Sequence, residues 1–252
     1  MKKKIHQIWL QGEDDIPAKY KFNINETIRL NPDWEYKLWD DDSLEKECMK
    51  YGKKCFERYI SYKHLHQKVD LGRYVVLYNE GGISVDMDAR ALKSFNNIPH
   101  LYENKLIVSK LDVSPFWCYL LCLRGEICNN AHIYSPKNNK SLKKIIDGIV
   151  SREIISTTKE IDIVCTTGPS TFTKYVDDDT ILIDYRYFEP LSTGGTNIFD
   201  DSIILHETDN TWVSGPFSVL CDLYKSDVIT LITIIVILSV VMYSMTPPRL
   251  SV

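Results

Sequence analysis

Between Val69 and Glu80 the apolar residues Leu71, Tyr74, Val75 and Tyr78 recur at i, i+3, i+4 and i+7, one stripe of an amphipathic helix. Gly81 or Gly82 supplies the left-handed residue that ends it, and the period then changes to two. In "ISVDMD" the residues Ile83, Val85 and Met87 fall on one face of a strand, and Ser84, Asp86 and Asp88 on the other. "KKIHQIWL" alternates likewise, Ile5, Gln7 and Trp9 against His6, Ile8 and Leu10. Residues 18–30 predict a helix stopped at Asn31-Pro32. "WEYKLWD" predicts a second strand, "DDSLEKECMKYG" a helix capped by Asp or Ser, and residues 53–68 a further helix. Downstream, "KLIVSKL" reads as a strand, residues 116–123 as an apolar helix, and "SLKKIIDGIV" as an amphipathic helix. "TILIDY" and "SIILH" are late strands. Alternation of this kind predicts an α/β domain with a mainly parallel sheet. Ligands of such sheets collect at the carboxyl ends of strands, where Asp86 and Asp88 stand.

One run is different. "VITLITIIVILSVVMYSM", residues 228–245, has 18 residues without a charge and is followed by Pro247 and Pro248. As a helix it would span about 27 Å, close to a hydrocarbon core, with apolar residues on every face. The expected organisation is a domain over 1–222, a linker over 223–227, a transmembrane helix over 228–245 and a tail over 246–252. That pattern predicts a single-pass membrane protein anchored at its C-terminus, with the main domain in the cytosol; the flanking charges leave orientation open. At the other end "IHQIWL" is too short and too polar for a signal-peptide core.

Composition narrows the function classes. All 34 acidic side chains and all but one of the 30 basic ones precede Val228, so the body is net acidic and no nucleic-acid partner is expected. The seven cysteines form an odd set without metal-type spacing and read as reduced thiols.

The chemistry concentrates at Asp86 and Asp88. Carboxylates two apart on a strand project the same way and would raise one another's pKa. A divalent cation removes that conflict, and hard oxygen ligands suit Mg²⁺ or Mn²⁺, with open positions left for phosphate oxygens. Upstream, Asp70 and Arg73 lie at i, i+3 on the helix face away from the apolar stripe. A glycine turn joins helix to strand, so the four polar groups can converge. Taken singly, Asp70–Arg73 reads equally as a surface ion pair and Asp86-x-Asp88 as a solvated turn; the specific signal is their combination across the glycine pair.

With these residues in place, "VDLGRYVVLYNEGGISVDMDARALKSF" resembles the core of the DxD-containing glycosyltransferases of family 32, which include initiating and inositol-phosphoceramide mannosyltransferases and α-1,4-galactosyltransferases. "KKIHQIWLQGEDDIP", "NPDWEYKLWDDDSL", "CNNAHIYSPKNNKSL", "TTGPSTFTKY" and "ILHETDNTW" resemble further segments, in the family's order. The resemblance implies a GT-A-type, Rossmann-like fold and transfer of a hexose from a UDP- or GDP-sugar to a glycan, lipid or protein, with retention at the anomeric carbon and with Mn²⁺ or Mg²⁺. On it, Asp86 and Asp88 hold the metal on the donor diphosphate, and Asp70 and Arg73 contact donor sugar and phosphate. Trp9 lies near the base, Asn130, Gly168 and Pro169 line the donor pocket, and Trp212 belongs to the closing segment. His206 is a third metal or diphosphate contact, which would favour Mn²⁺ over Mg²⁺. The structural alternatives are a core role for Trp9, a satisfied strand-end role for His206 and a cap or loop role for Asn130.

Three departures stand out. Ser84 replaces an aromatic residue usual between the glycines and the DxD, which removes bulk beside the metal site. "HETDNTW" is more polar than the usual closing segment. The apolar run is C-terminal, whereas secretory-pathway members carry an N-terminal anchor. Two rivals follow: a catalytically inactive sugar-nucleotide-binding membrane protein, and a haloacid-dehalogenase-type phosphohydrolase. The latter needs Thr two residues past the second Asp, where this chain has Arg90.

Overall fold

A computed structural model describes residues 3–111, 126–152, 158–191, 198–207, 209 and 235–236. The chain divides into a unit over Met1–Asp209 and a second over Asn210–Val252. In the first unit the strands β1 (Lys4–Ile8), β2 (Glu35–Trp39), β3 (Gly82–Ser84), β5 (Ile107–Lys110), β6 (Cys128–Ser135) and β7 (Ile181–Ile183) form one six-stranded sheet in the order β2-β1-β3-β6-β5-β7. β1 is parallel to β2 and β3, and β7 is parallel to β5. β6 alone runs against its neighbours. β4 (Ala89–Ala91) and β8 (Ile204–His206) make a separate antiparallel pair with Ala89 opposite His206.

The alternation within β1 decides how the core divides. Ile5 joins Ile83, Val85, Phe95 and Ile204 in one buried cluster. Ile8 joins Trp39, Leu71, Tyr74, Ile145 and Phe172 in the other. Helices α1 (Ala18–Leu30), α2 (Asp41–Tyr51), α3 (Lys53–Ser61), α4 (Leu65–Glu80), α5 (Lys140–Ser151), α6 (Lys159–Thr166) and α7 (Pro169–Tyr175) complete the unit. Local chemistry explains several starts. Asp40 caps α2 through the Ser43 amide, and the Ser43 hydroxyl accepts from the Asp40 amide in return. Asn139 caps α5 at the Leu142 amide.

Four expectations need correction. The helix expected over 53–68 is broken by extended backbone at Tyr62 into α3 and the start of α4. α4 is not a surface helix with one apolar stripe: every residue from Asp70 to Leu77 is buried, because helices pack around it on several sides. The strand expected through Asp88 stops at Ser84. Val85 still donates to the His6 carbonyl, but Ala89 donates to the Asp86 carbonyl and closes a turn over 86–89. The Gln7 and Asn23 side-chain amides take the carbonyls of Asp86 and Met87, which leaves the backbone no ladder to continue. Finally, the transmembrane helix of the expected fold is overturned: no helix among the described residues is long and apolar enough to cross a membrane. An apolar run sets hydrophobicity, whereas a span needs about 20 residues of continuous helix. Within 228–245 only Ile235 and Val236 are described, and the helix expected over 116–123 lies outside the described residues.

Gly81 and Gly82 carry the reversal from α4 into β3 with φ of 70° and 117°. A Cβ on Gly82 would collide with the Lys4 carbonyl oxygen. Gly82→Ala is expected to cost at least ~2 kcal/mol through strain and clash combined, read as a lower urea midpoint at unchanged m-value.

Candidate active site

α4 delivers Arg73 into the interior, where its guanidinium is 4% exposed. Nη1 donates to the carbonyls of Asn130 and Ala131, both at 2.6 Å, and Nη2 to Asp86 Oδ1 at 2.5 Å. The chain therefore pairs Arg73 with the first aspartate of the turn. Asp70, one helical turn earlier, accepts from Asn130 Nδ2 at 2.8 Å and from Thr167 Oγ1 at 2.9 Å. Burial pushes its carboxyl up to about 6, against the opposing charge of Arg73. Burial also raises Asp86; Arg73 opposes the rise and the charge of Asp88 adds to it.

The second aspartate takes different partners. Because β4 pairs with β8, His206 lies beside the end of the turn, its Nε2 3.2 Å from Asp88 Oδ1. The Asp209 amide donates to Asp88 Oδ2 at 2.9 Å. Burial works against ionisation of Asp88, but the hydrogen bond and charge of His206 and the Asp209 amide hold it below the usual carboxylate range. For His206, burial alone would lower the pKa; the charges of Glu189 and Asp88 outweigh it and hold the imidazole well above its ordinary value. Asp86, Asp88 and His206 each offer one ligand atom within 4.8 Å of the others. Two carboxylate oxygens and one imidazole nitrogen make a donor set that fits Mn²⁺ or Mg²⁺.

Residues 17–105, which contain α1, the DxxR helix and the aspartate turn, match the family model described as "Glycosyltransferase sugar-binding region containing DXD motif". Over this segment the chain is similar to the DXD-containing glycosyltransferases. It is 25% identical over 240 residues to an uncharacterized glycosyltransferase of Acanthamoeba polyphaga mimivirus, covering 87% of this chain and 86% of that protein. It is 34% identical over 98 residues to inositol phosphoceramide mannosyltransferase 3 of Schizosaccharomyces pombe, covering 39% of this chain and 27% of the mannosyltransferase. The fold is similar to that of mouse xyloside xylosyltransferase 1 in its apo form, with a TM-score of 0.52 and 9% identity over 84% of this chain and 99% of that one.

The remaining expected residues fall around the same centre with one exception. Asn130 is neither a cap nor a loop residue: it lies in β6 and ties Asp70 to the Tyr74 hydroxyl. Gly168 caps α7 and Pro169 opens it, next to Thr167, which holds Asp70. Trp9 follows β1 and packs edge-on against Tyr20, centroids 5.5 Å apart; its buried Nε1 has no hydrogen-bond partner among the described residues. Tyr20 in turn donates to Asp209. Ser84 is buried in the sheet opposite His6 and Ile133, two residues before Asp86. Trp212 lies outside the described residues.

Several contributors are not marked as site residues by the sequence pattern. Thr167 and Tyr74 frame Asp70, and Tyr74 also donates to the Thr167 carbonyl. His132 and Glu189 stand behind His206. Thr167 and His132 could have been found, from their places in the "TTGP" and "CNNAHIYS" segments.

Proposed function

We propose that this glycosyltransferase moves a hexose from a UDP- or GDP-sugar to a glycan, lipid or protein acceptor, with a divalent cation at Asp86, Asp88 and His206 and with retention at the anomeric carbon. The observation that carries it is the convergence of those three ligand atoms within 4.8 Å, beside a buried Arg73 already bound to Asp86. When bound, the cation supplies positive charge for the donor diphosphate. Arg73, fixed by two carbonyls and Asp86, supplies a second, preorganised charge as the nucleoside diphosphate departs. Asp70 keeps lone pairs for sugar hydroxyls, and Asn130 and Thr167 hold its plane, so the sugar meets a rigid acceptor. Trp9 offers a ring and an unpartnered N–H to the nucleotide base.

The S. pombe relative is a mannosyltransferase, so a mannosyl nucleotide comes first in a donor screen, followed by other UDP- and GDP-sugars. Donor hydrolysis or transfer with Mn²⁺, abolished by chelator and restored by added cation, is the expected result. Turnover that persists unchanged in excess chelator would refute the metal-dependent reading. Donor binding without turnover for any sugar would support the inactive sugar-nucleotide-binding alternative instead.

A further inference from the structure

Behind the cation site lies a second, largely buried set of titratable groups. Glu189 is 1% exposed and follows the helical turn Tyr185–Phe188. His206 Nδ1 approaches its two carboxylate oxygens at 2.8 and 3.0 Å. From the other side His132, 0% exposed in β6, brings Nε2 to within 3.3 Å of Glu189 Oε1. The Nδ1 atom of His132 accepts from the Asp86 backbone amide at 3.5 Å, which leaves its proton on Nε2, facing Glu189. The two imidazole rings meet edge to face, centroids 4.7 Å apart. Three elements distant in sequence thus converge on a carboxylate that contacts no solvent. A carboxylate so placed is kept only with its partners in position, and removing it would leave the His206 Nδ1–H buried without an acceptor.

We propose that Glu189 is a positioning residue: it accepts the Nδ1–H hydrogen bond of His206 and so keeps Nε2 turned toward Asp88 as a ligand, while His132 holds Glu189 in line and reports to the Asp86 backbone. This rests on the reading of Asp86, Asp88 and His206 as the cation site. An imidazole has two nitrogens, and the hydrogen bond made by one selects the other for the metal. His206 without Glu189 could present either tautomer and could rotate.

The test is cation binding by the full chain without any donor, read from the electron paramagnetic resonance signal of free Mn²⁺. Glu189→Leu is expected to weaken Mn²⁺ binding by ~10- to 100-fold, the range for lost outer-shell partners. Glu189→Gln, whose amide oxygen still accepts from Nδ1–H, is expected to stay close to wild type. In a His206→Ala background, Glu189→Leu is expected to add no further loss. Wild-type affinity in Glu189→Leu would overturn the proposal, as would an additive loss in the His206→Ala background. A glutamine variant as weak as the leucine variant would make Glu189 a ligand in its own right, and would also overturn it. Should the leucine variant not fold, the ¹⁵N shifts of His206 in the Mg²⁺-loaded wild-type chain decide: protonation at Nδ1 is expected, and protonation at Nε2 overturns the proposal. A wild-type chain that binds neither cation refutes the site itself, which separates that failure from failure of the positioning role.

Discussion

Asp88→Ala is expected to reduce sugar-nucleotide turnover by about 10³-fold, a loss of about 4 kcal/mol of transition-state stabilisation, and to leave the far-ultraviolet circular dichroism unchanged. Asp88 is the more consequential of the two aspartates for a geometric reason. Asp86 is committed to the Arg73 guanidinium, whereas Asp88 is the aspartate that joins His206, the third candidate ligand, at Oδ1 and is oriented by the Asp209 amide at Oδ2. Its low carboxyl pKa keeps it ionised across the neutral range, ready for a cation. Removing it also strands His206, whose imidazolium then has Glu189 as its remaining close anion. The site would keep a positive charge where a ligand pair should be. Equal turnover by the variant and wild type under Mn²⁺ would sink the assignment of the DXD turn.

Asp70→Asn is expected to separate activity from stability. The Asp70 carboxyl sits at about 6, above the unfolded value of about 3.9. The folded protein therefore disfavours the ionised form. Its contribution is neutral below pH ~4, where the carboxyl is protonated in both states, and unfavourable as pH rises through ~6. The shift of about two pH units corresponds to a penalty of at most ~3 kcal/mol at pH 7. Replacement by asparagine removes that penalty, so urea unfolding should show a gain at pH 7 and little change at pH 4. Turnover should fall by about 10²-fold, since the sugar loses its fixed acceptor. A variant that turns over like wild type would remove Asp70 from the sugar; one that is destabilised at pH 7 would contradict the sign of the burial effect.

Both predictions involve residues that sequence brought forward and the fold then repartnered. The i, i+3 spacing of Asp70 and Arg73 suggests a mutual pair. In the structure Arg73 reaches forward to Asp86 while Asp70 takes Asn130 and Thr167, because β6 and the loop before α7 crowd the helix face that spacing alone leaves open. β6 itself is an eight-residue buried strand that reads as a polar segment, "CNNAHIYS". Its polar residues look like loop residues until the fold pairs them: the Asn130 carbonyl accepts from Arg73, the Asn130 side chain donates to Asp70, and His132 comes within 3.3 Å of Glu189. The strand expected to end at Asp88 is shorter for a related reason: Gln7 and Asn23, both distant in sequence, capture the carbonyls that would have extended it.

What the sequence determined by itself is the local and the periodic. It set the helix over 18–30, the Asp40 cap, the glycine pair that must reverse after α4, and the chemistry of Asp86-x-Asp88. Each depends on residues a few positions apart, whose conformational preferences and hydrogen bonds close over short loops at small entropic cost. The tertiary structure alone decided which charges meet. His206 reaches Asp88 only because β4 and β8, more than a hundred residues apart, form a pair. Glu189 and His132 acquire a role only when desolvation makes every unpaired polar group costly. Spacing can nominate two carboxylates, but burial and long-range pairing choose their partners.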